Sequence, residues 1–196
     1  MTSELTTTTA PTAPDPQPTL HSARLTLRPF TLSDAQDVQR LAGDARVADT
    51  TIAVPHPYPD GAAQAWIATH AEAFAARREI TFAIVPRDDA ALLGAVSLVD
   101  IAGRHARAEL GYWVGVPYWG QGYGTEAVQR LIQYAHESLQ LTRITARCML
   151  RNAASARVMA KAGLQREGLL PSHLRVHGVY EDILIYGLCL PGRGSD

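Results

Sequence analysis

Cysteine, lysine and long apolar runs are all scarce in this 196-residue sequence. The two cysteines, Cys148 and Cys189, are too few for a disulfide framework, and we expect both to be buried and reduced. No apolar run approaches the length of a bilayer span, which argues against a membrane partner. A formal net charge of −1 argues against a nucleic-acid partner. No spacing of histidine, cysteine and acidic residues indicates a metal site.

The first twenty residues have few large apolar side chains and are rich in threonine and proline. Burial of such a segment cannot offset its ordering entropy, so we predict a disordered tail over residues 1–20. The segment lacks the basic stretch and apolar run of a secretory signal, so we expect a cytoplasmic protein. Residues 21–190 are predicted to form a single domain, followed by a short C-terminal tail at 191–196.

Strand-type and helix-type patterns alternate along the predicted domain. Strands are predicted at 24–30, 80–86, 91–101, 106–116, 143–150, 164–170 and 179–190. Helices are predicted at 31–44, with Ser33 as N-cap, and at 62–78, 122–140 and 152–163. The order indicates an α/β (α+β) fold with a mixed, mostly antiparallel central sheet of about seven strands, flanked by helices.

A glycine-rich segment, Tyr118–Ala127, stands directly before the predicted helix at 122–140. Glycine allows close backbone approach and a helix N-terminus attracts anions, so the segment predicts an anion site. Gly122–Ala127 fits the dinucleotide pattern G-x-G-x-x-A, but no acidic residue that could hold a ribose occurs between Ser138 and Arg166. That stretch holds five arginines and a lysine instead, which suits a cofactor with an additional phosphate, such as coenzyme A.

Two motifs in the same order carry a family resemblance, YWGQGYGTEAV and RNAASARVMAKAGLQREG. They resemble the GNAT superfamily of acetyl-CoA-dependent N-acetyltransferases, and more narrowly its ribosomal-protein N-terminal (alanine or serine) acetyltransferases. RLTLRPF near the start and GVYEDILIYGL near the end suit that branch. The resemblance covers residues 24–188 and implies a GNAT-like fold and acetyl-CoA as acyl donor. It also implies direct attack by a primary amine in a ternary complex, and a homodimer.

The same resemblance implies which residues hold acetyl-CoA. The backbone of the strand before the loop would bind the pantetheine arm, and the loop amides would bind the pyrophosphate. Trp119 stands where the superfamily usually has glutamine or arginine, a departure that matters little if amides do the binding. A solvated helix face is an equal alternative for Arg157 and Lys161. The predicted cofactor-binding residues are Tyr112, Trp113, Val114, Trp119, Gly120, Gln121, Gly122, Tyr123, Gly124, Thr125, Asn152, Ser155, Arg157 and Lys161.

Ser155 and Glu109 are the candidate catalytic residues. By resemblance Ser155 lies near the sulfur, where it would protonate the leaving thiolate or position the cofactor. The position at which many relatives carry a proton-donating tyrosine holds Met159. Glu109 stands at a family location for the base, and its alternative role is an ion pair with Arg107 or Arg147. Weaker candidates for the base are His56, His173 and His177.

The predicted acceptor is the N-terminal amine of a protein or peptide. A small-molecule amine, such as an antibiotic or a polyamine, is the alternative within enzymes, and a catalytically silent acyl-CoA-binding module is the alternative outside them. The acceptor pocket is predicted to be built from loops that include 51–61 and 171–182. Their acidic residues are too few to favour a polycation, namely Asp60, Glu181 and Asp182.

Overall fold

The computed structural model describes residues 16–176 and 178–192, and its centre is an eight-stranded sheet. The strands are β1 Leu20–His21, β2 Leu25–Pro29, β3 Ile80–Pro86, β4 Gly94–Ala102, β5 Arg107–Val114, β6 Arg143–Met149, β7 Gln165–Val176 and β8 Val179–Cys189. Their order in the sheet is β1-β2-β3-β4-β5-β6-β8-β7, and only the β5–β6 pair is parallel. The predicted mixed, mostly antiparallel sheet is confirmed, with the short β1 added at one edge.

Helices cover both faces of this sheet. They are α1 Ala35–Ala42, α2 Ala45–Thr50, α3 Ala62–Ala68, α4 His70–Ala75, α5 Tyr123–Glu137 and α6 Ala153–Lys161. Apolar residues of α5 and α6 pack with one set of strand residues, including Phe82 and Leu110. Those of α1, α2 and α3 pack with the alternate set, including Ala83 and Trp113. Because successive strand residues point to opposite faces, the sheet separates two cores.

The first predicted helix differs from the structure in its start and its cap. A short 3₁₀ turn at Leu32–Asp34 precedes α1, and the cap is a reciprocal pairing of Thr31 with Asp34 rather than Ser33. The predicted helix 62–78 is divided at Thr69 into α3 and α4. The sequence pattern did not predict α2, which is only six residues long. Short helices such as this depend on tertiary packing, which local patterns do not contain.

The predicted loop at 171–182 is wrong over residues 171–176, because β7 continues to Val176. Strand β8 begins at Val179, where the predicted strand at 179–190 begins. Pro171 lies inside β7, where a proline normally ends a strand. Here the pairing register shifts between Leu170 and Leu174, and Ser172 adopts a left-handed backbone conformation with a φ of 47°. A bulge on an edge strand accommodates a residue without an N–H donor, so the hairpin continues past the proline.

The folded part of the chain begins before residue 21. Leu20 is buried and belongs to β1, and Gln17 donates from Nε2 to the Thr81 carbonyl at 2.8 Å. The predicted tail boundary at residue 20 is therefore too late, and residues 1–15 lie outside the described part of the chain. Across residues 16–176 and 178–192, no helix has the length and hydropathy that crossing a bilayer requires.

Candidate active site

A gap opens in the sheet between β5 and β6. Their parallel pairing ends at Leu110 and Ala146. Beyond that point β5 stays paired with β4 up to Val114, and β6 stays paired with β8 up to Met149. The two strands therefore diverge, and within residues 16–176 and 178–192 the backbone of β5 next to the gap has no strand partner on that side. This stretch of β5 includes Tyr112–Val114, whose backbone the family resemblance assigns to the pantetheine arm.

A cavity of about 460 Å³ lies at this gap. Its walls come from α2, the end of β5, the glycine loop and α6. Every predicted cofactor-binding residue except Gln121 lines it. The other lining residues, which sequence analysis missed, are Val47, Thr50, Thr51, Tyr118, Ala154 and Val158. The lining residues of α2 belong to no sequence motif, so their position at the cavity is visible only in the folded chain.

Side chains fix the path of the glycine loop without using its amides. Trp119 donates from Nε1 to the Val114 carbonyl at 2.6 Å, and Gln121 donates from Nε2 to the Pro117 carbonyl at 3.0 Å. Gly120 and Gly122 have φ angles of 75° and 82°, in the left-handed region that favours glycine. Both glycines are therefore required by the backbone path of the loop itself.

The amide N–H groups of the loop suit an anion. Among the described residues, the amides from Gly120 to Thr125 have no hydrogen-bond acceptor. The helical hydrogen bonds begin with Glu126 N, which donates to the Gly122 carbonyl at 3.1 Å. Unpaired donors at a helix N-terminus, together with the helix dipole, favour a phosphate or pyrophosphate. Arg157 and Lys161 add exposed positive charge to the same cavity, without an ion-pair partner in the described chain.

Asn152 is the N-cap of α6. Its Oδ1 accepts from Ser155 N at 2.9 Å, and its Nδ2 donates to the Thr50 carbonyl at 2.8 Å. Arg151 makes a second tie to α2, because Nη1 and Nη2 donate to the Asp49 carboxylate and carbonyl, each at 2.8 Å. The same guanidinium donates from Nε to Glu181 at 2.8 Å. The turn before α6 thus fastens the α2 wall of the cavity.

Ser155 shares a hydrogen bond of 2.8 Å with the Tyr112 hydroxyl, which also donates to the Ser155 carbonyl at 3.1 Å. Burial raises the pKa of Tyr112, although its bond with Ser155 opposes that shift. The phenol therefore keeps its proton at neutral pH and remains a donor. Burial also raises the pKa of the nearby Cys148 thiol, against a hydrogen bond with Ser155. Cys148 is buried as predicted, but Cys189 is exposed, near the sheet edge where Arg143 contacts it.

Glu109 does not line the cavity. Its side chain alternates with those of Ala108 and Leu110, which pack beneath α5, so it points to the opposite face of the sheet. There its Oε1 accepts from Arg147 Nε at 2.8 Å, and its side chain is 24% exposed. The predicted alternative, an ion pair with Arg147, is therefore present, and the role as base stays a prediction. His56 and His173 are exposed, and His177 lies outside the described residues.

Comparison with known proteins identifies this arrangement. Residues 24–165 match the acetyltransferase (GNAT) domain family. The uncharacterized N-acetyltransferase p20 of Bacillus licheniformis is 31% identical, over 87% of this chain and 95% of its own length. The ribosomal-protein-serine acetyltransferase of Escherichia coli is 31% identical, over 54% of this chain and 58% of its own length.

Solved structures share the fold at lower identity. The ribosomal-protein-S5-alanine acetyltransferase of Vibrio fischeri has a TM-score of 0.77 and 23% identity, covering 88% of this chain and 97% of that one. A spermidine N-acetyltransferase of Vibrio cholerae has a TM-score of 0.71 and 20% identity, covering 86% and 95%. The chain therefore belongs to the GNAT family, is similar to its ribosomal-protein serine and alanine N-acetyltransferases, and is an acetyl-CoA-dependent N-acetyltransferase.

Proposed function

We propose that this enzyme acetylates the N-terminal amine of a protein or peptide. The observation that carries the proposal is the cavity at the β5–β6 gap, which joins the glycine loop on one side of the sheet to α2 on the other. A thioester held along β5 would meet an amine that enters beside α2. The curated relatives named for ribosomal proteins support a protein acceptor.

The charge pattern near α2 and β8 also favours an acceptor with a single amine. A polycation would need several free carboxylates, but those in the predicted acceptor segments already have partners. Gln39 bonds Asp60 at 3.0 Å, Arg151 bonds Glu181, and the amide of Ser172 bonds Asp182 at 2.8 Å. Exposed apolar side chains at Ile52 and Leu150 offer contacts that suit peptide residues.

Acetyl-CoA would be held mainly by the chain's backbone. The loop amides from Gly120 to Thr125 would bind its pyrophosphate, Tyr112–Val114 its pantetheine arm, and Arg157 and Lys161 its ribose phosphate. When bound, acetyl-CoA supplies the activated acyl group. The residues of the chain orient that group, exclude water and transfer protons.

Direct attack in a ternary complex is the proposed route. Burial raises the pKa of Cys148, which keeps this thiol protonated and a poor nucleophile. Cys189 does not line the cavity. An acyl-cysteine therefore has no activated nucleophile in this site, and the acceptor amine itself must attack.

Ser155 is the proposed acid for the departing thiolate, with Tyr112 donating to its hydroxyl or carbonyl. Glu109 is the proposed base, acting from the opposite face of the sheet next to the gap, through water because it does not line the cavity. A water chain without Glu109, or a histidine among His56, His173 and His177, is the alternative.

A thioester-consumption screen tests the acceptor. Peptides that begin with alanine, serine or methionine are compared with the same peptides blocked by N-acetylation, and with a panel of polyamines and amine antibiotics. We expect turnover with a subset of free peptides and none with their blocked forms. Turnover with polyamines or antibiotics alone would contradict the peptide proposal. Acetyl-CoA binding without turnover on any amine would indicate a silent acyl-CoA-binding module.

We further propose that the enzyme works without a metal, in the cytoplasm, and as a homodimer. Thiols that are unpaired in the described chain fit a reducing compartment. In the described part of the chain β7 is an edge strand next to β8, and its exposed Leu169 and Leu170 would be covered by a second copy. Sedimentation at micromolar concentration tests the dimer, and activity after chelation tests the metal. A monomer, or loss of activity that zinc or magnesium restores, would contradict the respective point.

A further inference from the structure

Glu126 stands at a position that should weaken the anion site. It belongs to the first turn of α5, directly after the loop whose amides point to the cavity. A carboxylate can stabilise a helix N-terminus by itself, but one that faced the ligand would repel a pyrophosphate. The position of this carboxylate and of its partners therefore bears on acetyl-CoA binding.

The carboxylate turns away from the cavity, toward the connection between β1 and β2. Its Oε1 accepts from the Ser22 hydroxyl at 2.8 Å and from the Arg24 amide at 2.7 Å, and its Oε2 accepts from Arg24 Nε at 2.7 Å. Only 17% of the side chain is exposed. Burial alone would raise the pKa of Glu126, but these bonds outweigh burial and lower it, so the carboxylate is ionised and paired.

The other end of the Arg24 guanidinium reaches the glycine loop. Its Nη1 donates to the Gln121 carbonyl at 3.1 Å, and its centre lies 4.8 Å from the centroid of the Tyr123 ring. A Cβ on Gly122 would come within 3.4 Å of its Nη2. One side chain from the start of the domain therefore contacts Gln121 and Tyr123, on either side of Gly122.

We propose that Arg24 and Glu126 are positioning residues that lock the glycine loop and neutralise the carboxylate beside it. The inference rests on acetyl-CoA binding at this loop. Glu126 holds both the backbone amide and the guanidinium of Arg24, and Arg24 in turn fixes the carbonyl of Gln121 directly before the amides that would bind the pyrophosphate. The two motifs RLTLRPF and GTEA, which are distant in sequence, form one unit around the loop.

The proposal predicts that variants of Arg24 and Glu126 lose acetyl-CoA affinity to different extents. Arg24→Ala frees the loop and also leaves the Glu126 carboxylate without its positive ion-pair partner near the anion, so it should be the most damaging. Glu126→Gln keeps the positive charge of Arg24 near the loop and should be mild. The double variant loses the lock but carries no unpaired carboxylate, so it should bind better than Arg24→Ala alone. A purely structural scaffold would instead make the double variant as poor as the worse single one.

Calorimetric titration with acetyl-CoA tests this order in folded proteins. We expect the Kd to rise about tenfold in Arg24→Ala, about twofold in Glu126→Gln and about threefold in the double variant. Arg78→Ala is the control, because its ion pair with Glu72 is exposed and touches neither the cavity nor the loop. If Arg24→Ala does not fold, the same comparison of Arg24→Gln with Arg24→Gln/Glu126→Gln decides, because glutamine removes the positive charge but keeps part of the side-chain length.

A double variant that binds no better than the Arg24 single variant, or an Arg24 variant with wild-type affinity, would overturn the lock. Failure of the lock can be distinguished from failure of the proposed peptide acceptor. Wild-type protein that binds acetyl-CoA but acetylates no peptide would contradict the proposed acceptor and leave the lock intact.

Discussion

The glycine-loop side of the cavity and its α2 side are built by different means. On the loop side, a short continuous segment presents its own backbone amides, and its glycines set the path. On the α2 side, the side chains of Arg151 and Asn152 donate hydrogen bonds to backbone carbonyls of α2. Each of these bonds spans 102 residues of sequence. The loop side is therefore encoded locally, while the α2 side exists only after the chain has folded.

Two glycines with the same structural role allow the loop side of the cavity to be tested by itself. Gly61 is the N-cap of α3 and Gly122 is the N-cap of α5, with φ angles of 77° and 82°. Both need the left-handed region for the same backbone reason. Only Gly122 lines the cavity, so their substitution separates the cost of strain from the cost to ligand binding.

The largest effect is expected for Gly122→Val, with Gly61→Val as its matched control. Each should lower the free energy of unfolding by about 1–3 kcal/mol, because a branched residue is forced into the left-handed region. Only Gly122→Val should also raise the Kd for acetyl-CoA, by about a hundredfold or more. Chemical denaturation and calorimetry measure the two quantities. Unchanged affinity in folded Gly122→Val would refute the amide site.

Gly124→Val is a further variant of the loop. Its φ is not positive, and a Cβ there would lie at ordinary distances from side chains of Val114 and Val158, 3.5 and 3.8 Å away. We expect little loss of stability but a similar loss of acetyl-CoA affinity, because the added methyl groups enter the cavity wall. Calorimetry on the folded variant measures it, and wild-type affinity would show that this part of the wall does not contact the ligand.

Ser155→Ala should come next, through kcat. Loss of a general acid typically costs about 10²–10⁴-fold, and the loss should be present across the whole pH range. Tyr112→Phe should cost about tenfold, because Ser155 remains but loses a partner that orients it. Steady-state kinetics with one good peptide measures both. A Ser155→Ala variant with wild-type kcat but weaker acetyl-CoA binding would assign this hydroxyl to cofactor positioning instead.

Glu109→Gln should lower kcat/KM by about tenfold or more at pH 7, and the loss should shrink as pH rises. The reason is the acceptor: below its own pKa the amine is protonated and needs a base, whereas above that pKa the free amine attacks unaided. A pH–rate profile of wild type and variant checks the sign. If the two profiles coincide, the base is a water chain or a histidine, and Glu109 serves only its ion pair with Arg147.

The smallest effect is expected on the α2 side, for Arg151→Ala. Its loss frees Asp49 and Glu181 and loosens the wall, so the KM for the peptide should rise about fivefold while acetyl-CoA affinity stays within about twofold. Arg46→Ala is the control, because it removes an exposed ion pair from the other end of the same helix. An Arg151→Ala enzyme impaired in acetyl-CoA affinity rather than in peptide KM would show that the two sides are not separate.

The sequence predicted the loop side because its information is local. Glycines at fixed spacing before a helix, and an N-cap such as Asn152, are visible in a few consecutive residues. The family motifs then identified the cofactor-binding residues, and all of these except Gln121 line one cavity. The sheet and its mostly antiparallel pairing followed from alternating patterns in the strands.

The α2 side could not be predicted in the same way. No motif marks Val47, Thr50 or Thr51, and the short α2 owes its place to long-range bonds. The second half of β7, from Pro171 to Val176, was predicted as a loop, because a proline within a strand usually signals its end and a bulge cannot be seen in the sequence. Glu109 illustrates a third limit, since the sequence left open a role as base and an ion pair with Arg107 or Arg147, and only the folded chain shows that Arg147 of the adjacent strand is the partner.

The most direct test of the amide site compares acetyl-CoA with S-acetylpantetheine, which carries the thioester arm but no pyrophosphate. Amide resonances of the ¹⁵N-labelled protein are followed as each ligand is added. We predict that acetyl-CoA shifts the resonances of Gly120–Thr125 and Tyr112–Val114, whereas S-acetylpantetheine at saturating concentration shifts only those of Tyr112–Val114. Equal shifts of Gly120–Thr125 with both ligands, or none with acetyl-CoA, would contradict a pyrophosphate site in the glycine loop.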